Sequence, residues 1–439
     1  MDSLGIWALA WPTMASMGAG TVVRFTDFAM VGSLGPAALA GVGLGGQFTW
    51  LLEAIGAVAP AGLAAILARA VGRGDWSLAN ASFRQAQILG VLLSFIGCAL
   101  LIPFTAEAIS LFGVEDDVVR FGSDYLWWRI WGALPLSVAI VFGTALRASG
   151  DVRTPLWASV IAAVVNVFLN WVLIYGNLGF PALGVVGAAI ASNLAITCMV
   201  AIFLWLWAKR ALAIRPGTGS WRPDRVLLGK LVRIGTPAGL ESGIFQVGLL
   251  AFQRILSPFG TEAIAAYNVG ATILSFSFIP GVGFATAAAT LIGQRLGAGQ
   301  DELATRDGWR STIACVVAMS AFGLFLMLCA RPIAGIFTSD PVVIALTIDV
   351  IWILGAAHPF MAVEFALGGA LRGAGDTIFP MATVFTGLLC LRLGLAFALA
   401  TVFHASVQIV WCALIADYLV KSLMFIARFR SGKWRRIAV

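Results

Sequence analysis

The chain is poor in charge. Of its 439 residues 11% are Asp, Glu, Lys or Arg, against 60% apolar side chains and a mean hydropathy of +0.95. That is too little polar surface to cover a soluble globule of this size, so the bilayer must be its solvent. The six cysteines all lie in apolar runs without paired spacing, which excludes a disulfide framework or a zinc site. No Walker loop, HExxH or GxSxG occurs. A primary ATP pump and an enzyme are therefore not expected, no cofactor is implied, and energy must come from an ion gradient or an external partner. The N-terminus lacks a basic n-region, and its apolar stretch runs past signal-peptide length without a cleavage site, so the first span is expected to remain. A net charge of +7 would suggest nucleic acid in a cytosolic protein. Here the basic residues sit in short connections between apolar runs, and no nucleic-acid partner is expected.

What the sequence has is long apolar runs. A hydrocarbon core of about 30 Å needs roughly 20 helical residues. Runs of that length recur near 5–32, 38–67, 83–104, 120–145, 155–176 and 184–207, then near 231–256, 262–291, 309–329, 343–370, 378–401 and 405–428. They do not alternate with a period of two, as barrel strands would. The fold class is an all-α membrane protein of twelve transmembrane helices. Basic residues cluster after even-numbered spans, among them Arg69, Arg73, Arg147, Arg153, Arg295 and Arg372, whereas the longest odd-numbered connection holds Glu107, Glu115, Asp116 and Asp117. The positive-inside rule then places both termini in the cytoplasm, across a prokaryotic-type inner membrane.

The strongest internal signal is a repeat. GTALRASGDVRTP, from Gly143 to Pro155, aligns without a gap on GGALRGAGDTIFP, from Gly368 to Pro380, with seven of thirteen positions identical. Pro155 falls on Pro380, an offset of 225 residues, and the same offset maps Pro12 onto Pro237, Gly35 onto Gly260, Gly45 onto Gly270, Gly72 onto Gly297 and Asp124 onto Asp349. Two homologous six-helix lobes follow, at 1–207 and 231–430, related by an axis along the membrane normal. Residues 208–230 read as an exposed cytoplasmic linker and 431–439 as a basic cytoplasmic tail.

Several stretches together resemble the multidrug and toxic compound extrusion (MATE) family, most closely its DinF-like branch. They are Pro12 followed by Asp27 and VGSLGPAALAGVGLG, the LRASGD and LRGAGD turns, VVNVFLNWVLIYG from Val164, LGVVGAAIASN from Leu183, and IGTPAGLESGIFQ with SPFGTEAIAAYNVG. Their order and spacing carry the likeness over nearly the whole chain. The resemblance implies an antiporter that expels organic, often cationic, compounds in exchange for Na⁺ or H⁺ by rocking two lobes around a central cavity. It also implies that Asp27 is the cation or proton site of the first lobe, a possible Na⁺ site included.

Intramembrane polar groups are the informative residues, because a charge at the bilayer centre costs about 2.5–3.5 kcal/mol or more. Asp27 is foremost, although Arg24 at i−3 shares its helix face and could pair with it. Asn166 and Asn170, four apart on one face of the fifth span, could aim at the same site, with Ser192 and Asn193 completing a polar cluster. In DinF-like relatives the second of the two positions is commonly an aspartate; Asn170 departs from that pattern. Glu241, Glu364, Glu53 and His358 are candidates for substrate binding or a second coupling site, with Arg254, Arg129 or Arg392 as possible structural partners of the acids. His358 in the tenth span could titrate or could be a satisfied core histidine. The paired turns suggest cytoplasmic gates, Arg147 near Asp151 and Arg372 near Asp376. Proline at 12, 135, 237, 280 and 359 predicts kinked spans.

The leading expectation is a monomeric, cation-coupled exporter of small organic molecules. A flippase of lipid-linked precursors is the alternative within the same superfamily, and a passive channel or embedded enzyme explains the repeat and the buried acids less well.

Overall fold

A computed structural model describes residues 3–215 and 221–437. These residues form helices and no strand. The first half contributes α1 (Ser3–Gly32), α2 (Pro36–Gly72), α3 (Trp76–Ser110), α4 (Asp116–Ile130 and Ala133–Ala148, bent by 50° at the break), α5 (Arg153–Tyr175) and α6 (Gly184–Ala208). The second half contributes α7 (Arg225–Leu256), α8 (Thr261–Gly297), α9 (Asp301–Leu328), α10 (Pro341–Gly373), α11 (Ile378–Thr401) and α12 (Val407–Arg430). Nine of these helices are long and apolar enough to cross a bilayer outright, and the bent α4 pair makes a tenth. α1 and α7, of 30 and 32 residues, complete the twelve. At 1.5 Å per residue each is about 45 Å long, more than a span requires. The chain is an integral membrane protein.

Two compact units divide these helices, but not at the 208–230 segment. One comprises Ala15–Gly239; the other runs from Leu240 onward and includes α1 as far as Met14. The breaks after Met14 and after Gly239 are again 225 residues apart, each two residues beyond a helix-internal proline, Pro12 or Pro237. A proline in mid-helix removes one backbone bond and clashes with the preceding turn. That leaves a flexure point at which one continuous helix can serve two packing units. The start of α1 thus packs within the second unit, where Trp7 meets Phe284 edge-on at 5.0 Å. The start of α7 packs within the first, where Leu231 crosses so close to Gly62 that a Cβ there would lie 2.3 Å from its carbonyl oxygen.

Small residues set the helix packing, as expected where lipid offers no hydrophobic drive between helices. Gly369 and Gly373, one turn apart on α10, rest on Ala285 and Ala289 of α8, and a Cβ at either would fall 2.3 and 2.2 Å from backbone oxygen. The linker is less exposed than its composition suggests. Leu212 and Ile214 are buried, Asn80 accepts the Arg215 N–H at 2.9 Å, and Gln85 holds both the Arg222 carbonyl (2.9 Å) and the Asp224 N–H (3.0 Å). Residues 216–220 of the linker and 438–439 of the basic tail lie outside the described residues.

Candidate ion-coupling site

In the first unit α1, α5 and α6 bring four polar side chains into a closed ring. Asn170 donates through Nδ2 to Asp27 Oδ1 and to Asn166 Oδ1, the latter at 3.1 Å. Asn166 Nδ2 donates to Ser192 Oγ (3.2 Å), and Ser192 donates to Asp27 Oδ2 (3.2 Å). Asn166 and Asn170 are 1% and 0% exposed. Their four-residue spacing stacks them on the face of α5 that meets α6, and Asp27 caps the pair from α1. Asp27 is the only charged member of the ring. Both its oxygens are served by neutral donors, and among the described residues no ion pair joins it to Arg24, the partner its helix spacing suggested.

The ring opens onto a cavity of about 390 Å³. Glu53, Arg24 and Arg129 line it with Trp50, Phe28 and Tyr125, so two carboxylates, two guanidiniums and an aromatic wall share one space. Glu53 therefore belongs with Asp27 rather than with Glu241 and Glu364. Asn193 does not join the ring: it accepts from Arg129 Nη1 (3.2 Å) and donates to the Trp128 carbonyl (2.7 Å), bracing the arginine at the break in α4. Gly132 at that break leaves room for the Asn193 amide, since a Cβ would lie 1.9 Å from its oxygen. Sequence reasoning treated Arg129 only as a possible partner and missed Tyr125 and Trp50, because an interfacial aromatic or basic residue looks the same in sequence whether it faces lipid or a cavity.

In the second unit the expected partners change. Glu241 is held by Arg372 of the LRGAGD turn, Nη1 lying 2.9 and 3.2 Å from its two oxygens. Arg372 is thus not paired with Asp376, which binds Arg428 of α12 at 2.8 Å. In the matching turn Asp151 caps α5 by accepting the Thr154 N–H at 3.0 Å, while Arg147 folds its guanidinium over Gly143 as Arg372 does over Gly368. Glu364 pairs with Lys421 at 2.8 Å, and Arg392 with Asp417. His358 is fully buried and stands apart from these acids; its ring nitrogens lie 2.6 Å from the Leu354 carbonyl and 2.9 Å from Ser277 Oγ, the environment of a satisfied core histidine.

No cluster of three or more His, Cys, Asp or Glu able to hold a metal occurs among the described residues. A site built on one carboxylate with neutral amide and hydroxyl oxygens suits a proton or a hard monovalent cation better than a transition metal, which favours imidazole and thiolate.

The MatE family model matches residues 12–172 and 237–398, two stretches that begin 225 residues apart, as do Pro12 and Pro237. Over 438 residues the chain is 32% identical to the probable multidrug resistance protein NorM of Thermotoga maritima, covering 98% of this chain and 93% of that one. It is 29% identical over 439 residues to the probable multidrug resistance protein NorM of Mesorhizobium japonicum, covering 96% and 92%. In fold it is similar to a MATE crystal structure in the straight conformation, with a TM-score of 0.91 at 23% identity over 98% of this chain and 97% of the other. It is equally similar to a MOP superfamily transporter from Pyrococcus furiosus described as having a binding pocket of reverse polarity, with a TM-score of 0.91 at 22% identity over 98% and 95%. Both repeats and nearly the full length agree: the chain belongs to the MatE family of membrane transporters.

Proposed function

We propose that the chain is a secondary active exporter of organic compounds, driven by exchange for Na⁺ or H⁺ at Asp27. The relatives named as multidrug resistance proteins support export of drug-like molecules. The observation that carries the coupling role is the buried Asn170 Oδ1, which has no hydrogen-bond partner while the Nδ2 of the same amide donates to Asp27. A buried amide oxygen left unpaired costs about 1–3 kcal/mol, and a bound cation would remove that cost. Rotating either amide by half a turn offers oxygen where nitrogen now stands. Asp27, Asn166, Asn170 and Ser192 could then supply oxygen ligands to Na⁺, whereas a proton would bind on Asp27 alone, since an amide does not accept one near neutral pH.

Loading by either ion neutralises Asp27 and removes the reason for two donors to converge on it. The ring then reorganises, and α1, α5 and α6 are free to adopt a second packing. That is the element through which ion and substrate occupancy can be linked. The cavity falls in the range of small-molecule sites, about 300–1,000 Å³, and its aromatic wall with Glu53 suits an amphipathic organic cation. Arg24 and Arg129 in the same wall favour a second reading, in which the substrate carries an anionic group as a lipid-linked precursor does. Neither reading requires an enzyme activity or a bound cofactor, and both place a monomer in a cytoplasmic membrane with its termini inside.

Purified protein in liposomes, with pH and Na⁺ gradients imposed separately, tests both points. Efflux of a cationic dye driven by one gradient supports the export reading. Transfer of a lipid-linked phosphate without dye transport supports the second, and transport unaffected by either gradient rules out coupling.

A further inference from the structure

The second unit carries an acidic site of its own, and the chain fills it with its own cation. Lys421 on α12 is 1% exposed, and its ammonium lies 2.8 Å from Glu364 of α10, 3.4 Å from Asp417 one turn earlier, and 4.1 Å from the centre of the Tyr418 ring. Two carboxylates and an aromatic face are the surroundings a free monovalent cation would seek in a protein interior. Asp417 is fully buried, and its Oδ1 has no hydrogen-bond partner. Arg392 shares Asp417 Oδ2 with Lys421 and faces the same Tyr418 ring at 5.1 Å, and the four charges sum to zero.

The backbone is shaped to admit this cluster. α11 changes to a π-helix over Phe385–Arg392, and Gly387 within it presses on the ion pairs, where a Cβ would lie 2.3 Å from Asp417 Oδ1 and 2.5 Å from Lys421 Cγ. π-helical turns recur at functional sites because the extra residue redirects side chains. Here the widened turn and the absent side chain accommodate Asp417 and Lys421.

We propose that Lys421 is a tethered cation occupying a Glu364–Asp417 cation site, so that the second unit takes up no ion from solution and the exchangeable cation is confined to the first. The functional consequence rests on the coupling role of Asp27. The existence of the masked site does not, and can be tested with Asp27 removed. Removing the ammonium while keeping both carboxylates should expose a Na⁺ site, because an uncompensated buried charge is strongly unfavourable and a small cation can replace the lost one.

The test compares thermal unfolding in detergent with NaCl or N-methylglucamine chloride at equal ionic strength. The variants are Asp27→Asn, Asp27→Asn/Lys421→Met, and the latter with Glu364→Gln added. The proposal expects no Na⁺ response from the first and third. It expects a Na⁺-dependent rise of about 3–6 °C in the second, the shift produced by Na⁺ at roughly ten times its dissociation constant. Equal unfolding temperatures for the second variant in the two salts would overturn it. If that variant is monodisperse only in Na⁺, the site is demonstrated directly. Aggregation in both salts, with the Glu364→Gln form monodisperse, would show that no free cation can replace the ammonium and would also overturn the proposal.

Discussion

The two units use one helical frame for opposite electrostatic ends. In the first, Asp27 faces neutral donors and Glu53 lines a cavity, neither in an ion pair among the described residues. In the second, Glu241, Glu364, Asp376 and Asp417 each hold a guanidinium or ammonium of the same unit. At the 225-residue offset Asp27 falls on Phe252, Asn166 on Leu391, Asn170 on Leu395, Glu364 on Ala139 and Lys421 on Ile196. Within the ring, Ser192 alone, which falls on Asp417, keeps a polar counterpart. Duplication preserved glycines and prolines that set helix packing and flexure, while the polar side chains of these two sites diverged. A carboxylate without an internal counter-ion can exchange a cation with its surroundings. One already neutralised serves packing and specificity instead.

The sharpest way to break this contrast is to disturb the closed charges. Asp417→Asn leaves Arg392 and Lys421 with Glu364 alone, and breaking a buried pair costs about 3–5 kcal/mol. The apparent unfolding temperature should fall by roughly 6–20 °C in a thermal scan. The double replacement Arg392→Met/Asp417→Leu, which removes both partners, should recover much of that loss, since well-packed apolar residues often replace a buried pair without penalty.

In the first unit the expected loss is smaller in stability and larger in function. Asn170→Leu removes a hydrogen bond to a charged group, worth about 1.5–3 kcal/mol. Gradient-driven efflux in liposomes should drop by about 10- to 100-fold, the same energy expressed as binding. Asn193→Ala, which touches Arg129 and not the ring, should leave efflux within about twofold. The smallest stability effect is expected for Glu241→Gln. Its pair with Arg372 is partly exposed, and such pairs contribute about 0–1 kcal/mol, so the melting temperature should change by no more than a few degrees.

Much of the first site was legible from sequence because polarity inside an apolar run is costly and therefore informative. Asp27 stood out on that ground together with the family resemblance, and the spacing of Asn166 and Asn170 pointed with Ser192 to the same place. What spacing could not supply was direction. Arg24 shares a helix face with Asp27, yet the aspartate turns to α5 and α6; Asn193 sits beside Ser192, yet one residue turns it by about 100° on the helix, toward α4. The second unit's partners were less legible, since Glu364 and Lys421 are 57 residues apart and meet only through packing of α10 on α12. A signal was present all the same. Asp417 and Lys421, an acid and a base four apart inside the last span, mark an intramembrane ion pair. The paired turns suggested matching gates, but their acids take different partners, Asp151 the start of α5 and Asp376 Arg428.

The central claim is that one exchangeable carboxylate, Asp27, couples transport. The direct measurement is substrate efflux from liposomes containing wild type or Asp27→Asn, with Na⁺ and pH gradients imposed one at a time and size-exclusion profiles confirming that both proteins are folded. The account predicts that one of the two gradients drives efflux by the wild type and that neither drives it in Asp27→Asn. Efflux that still follows the gradient in a folded Asp27→Asn protein would contradict it and would move the coupling ion to the second unit.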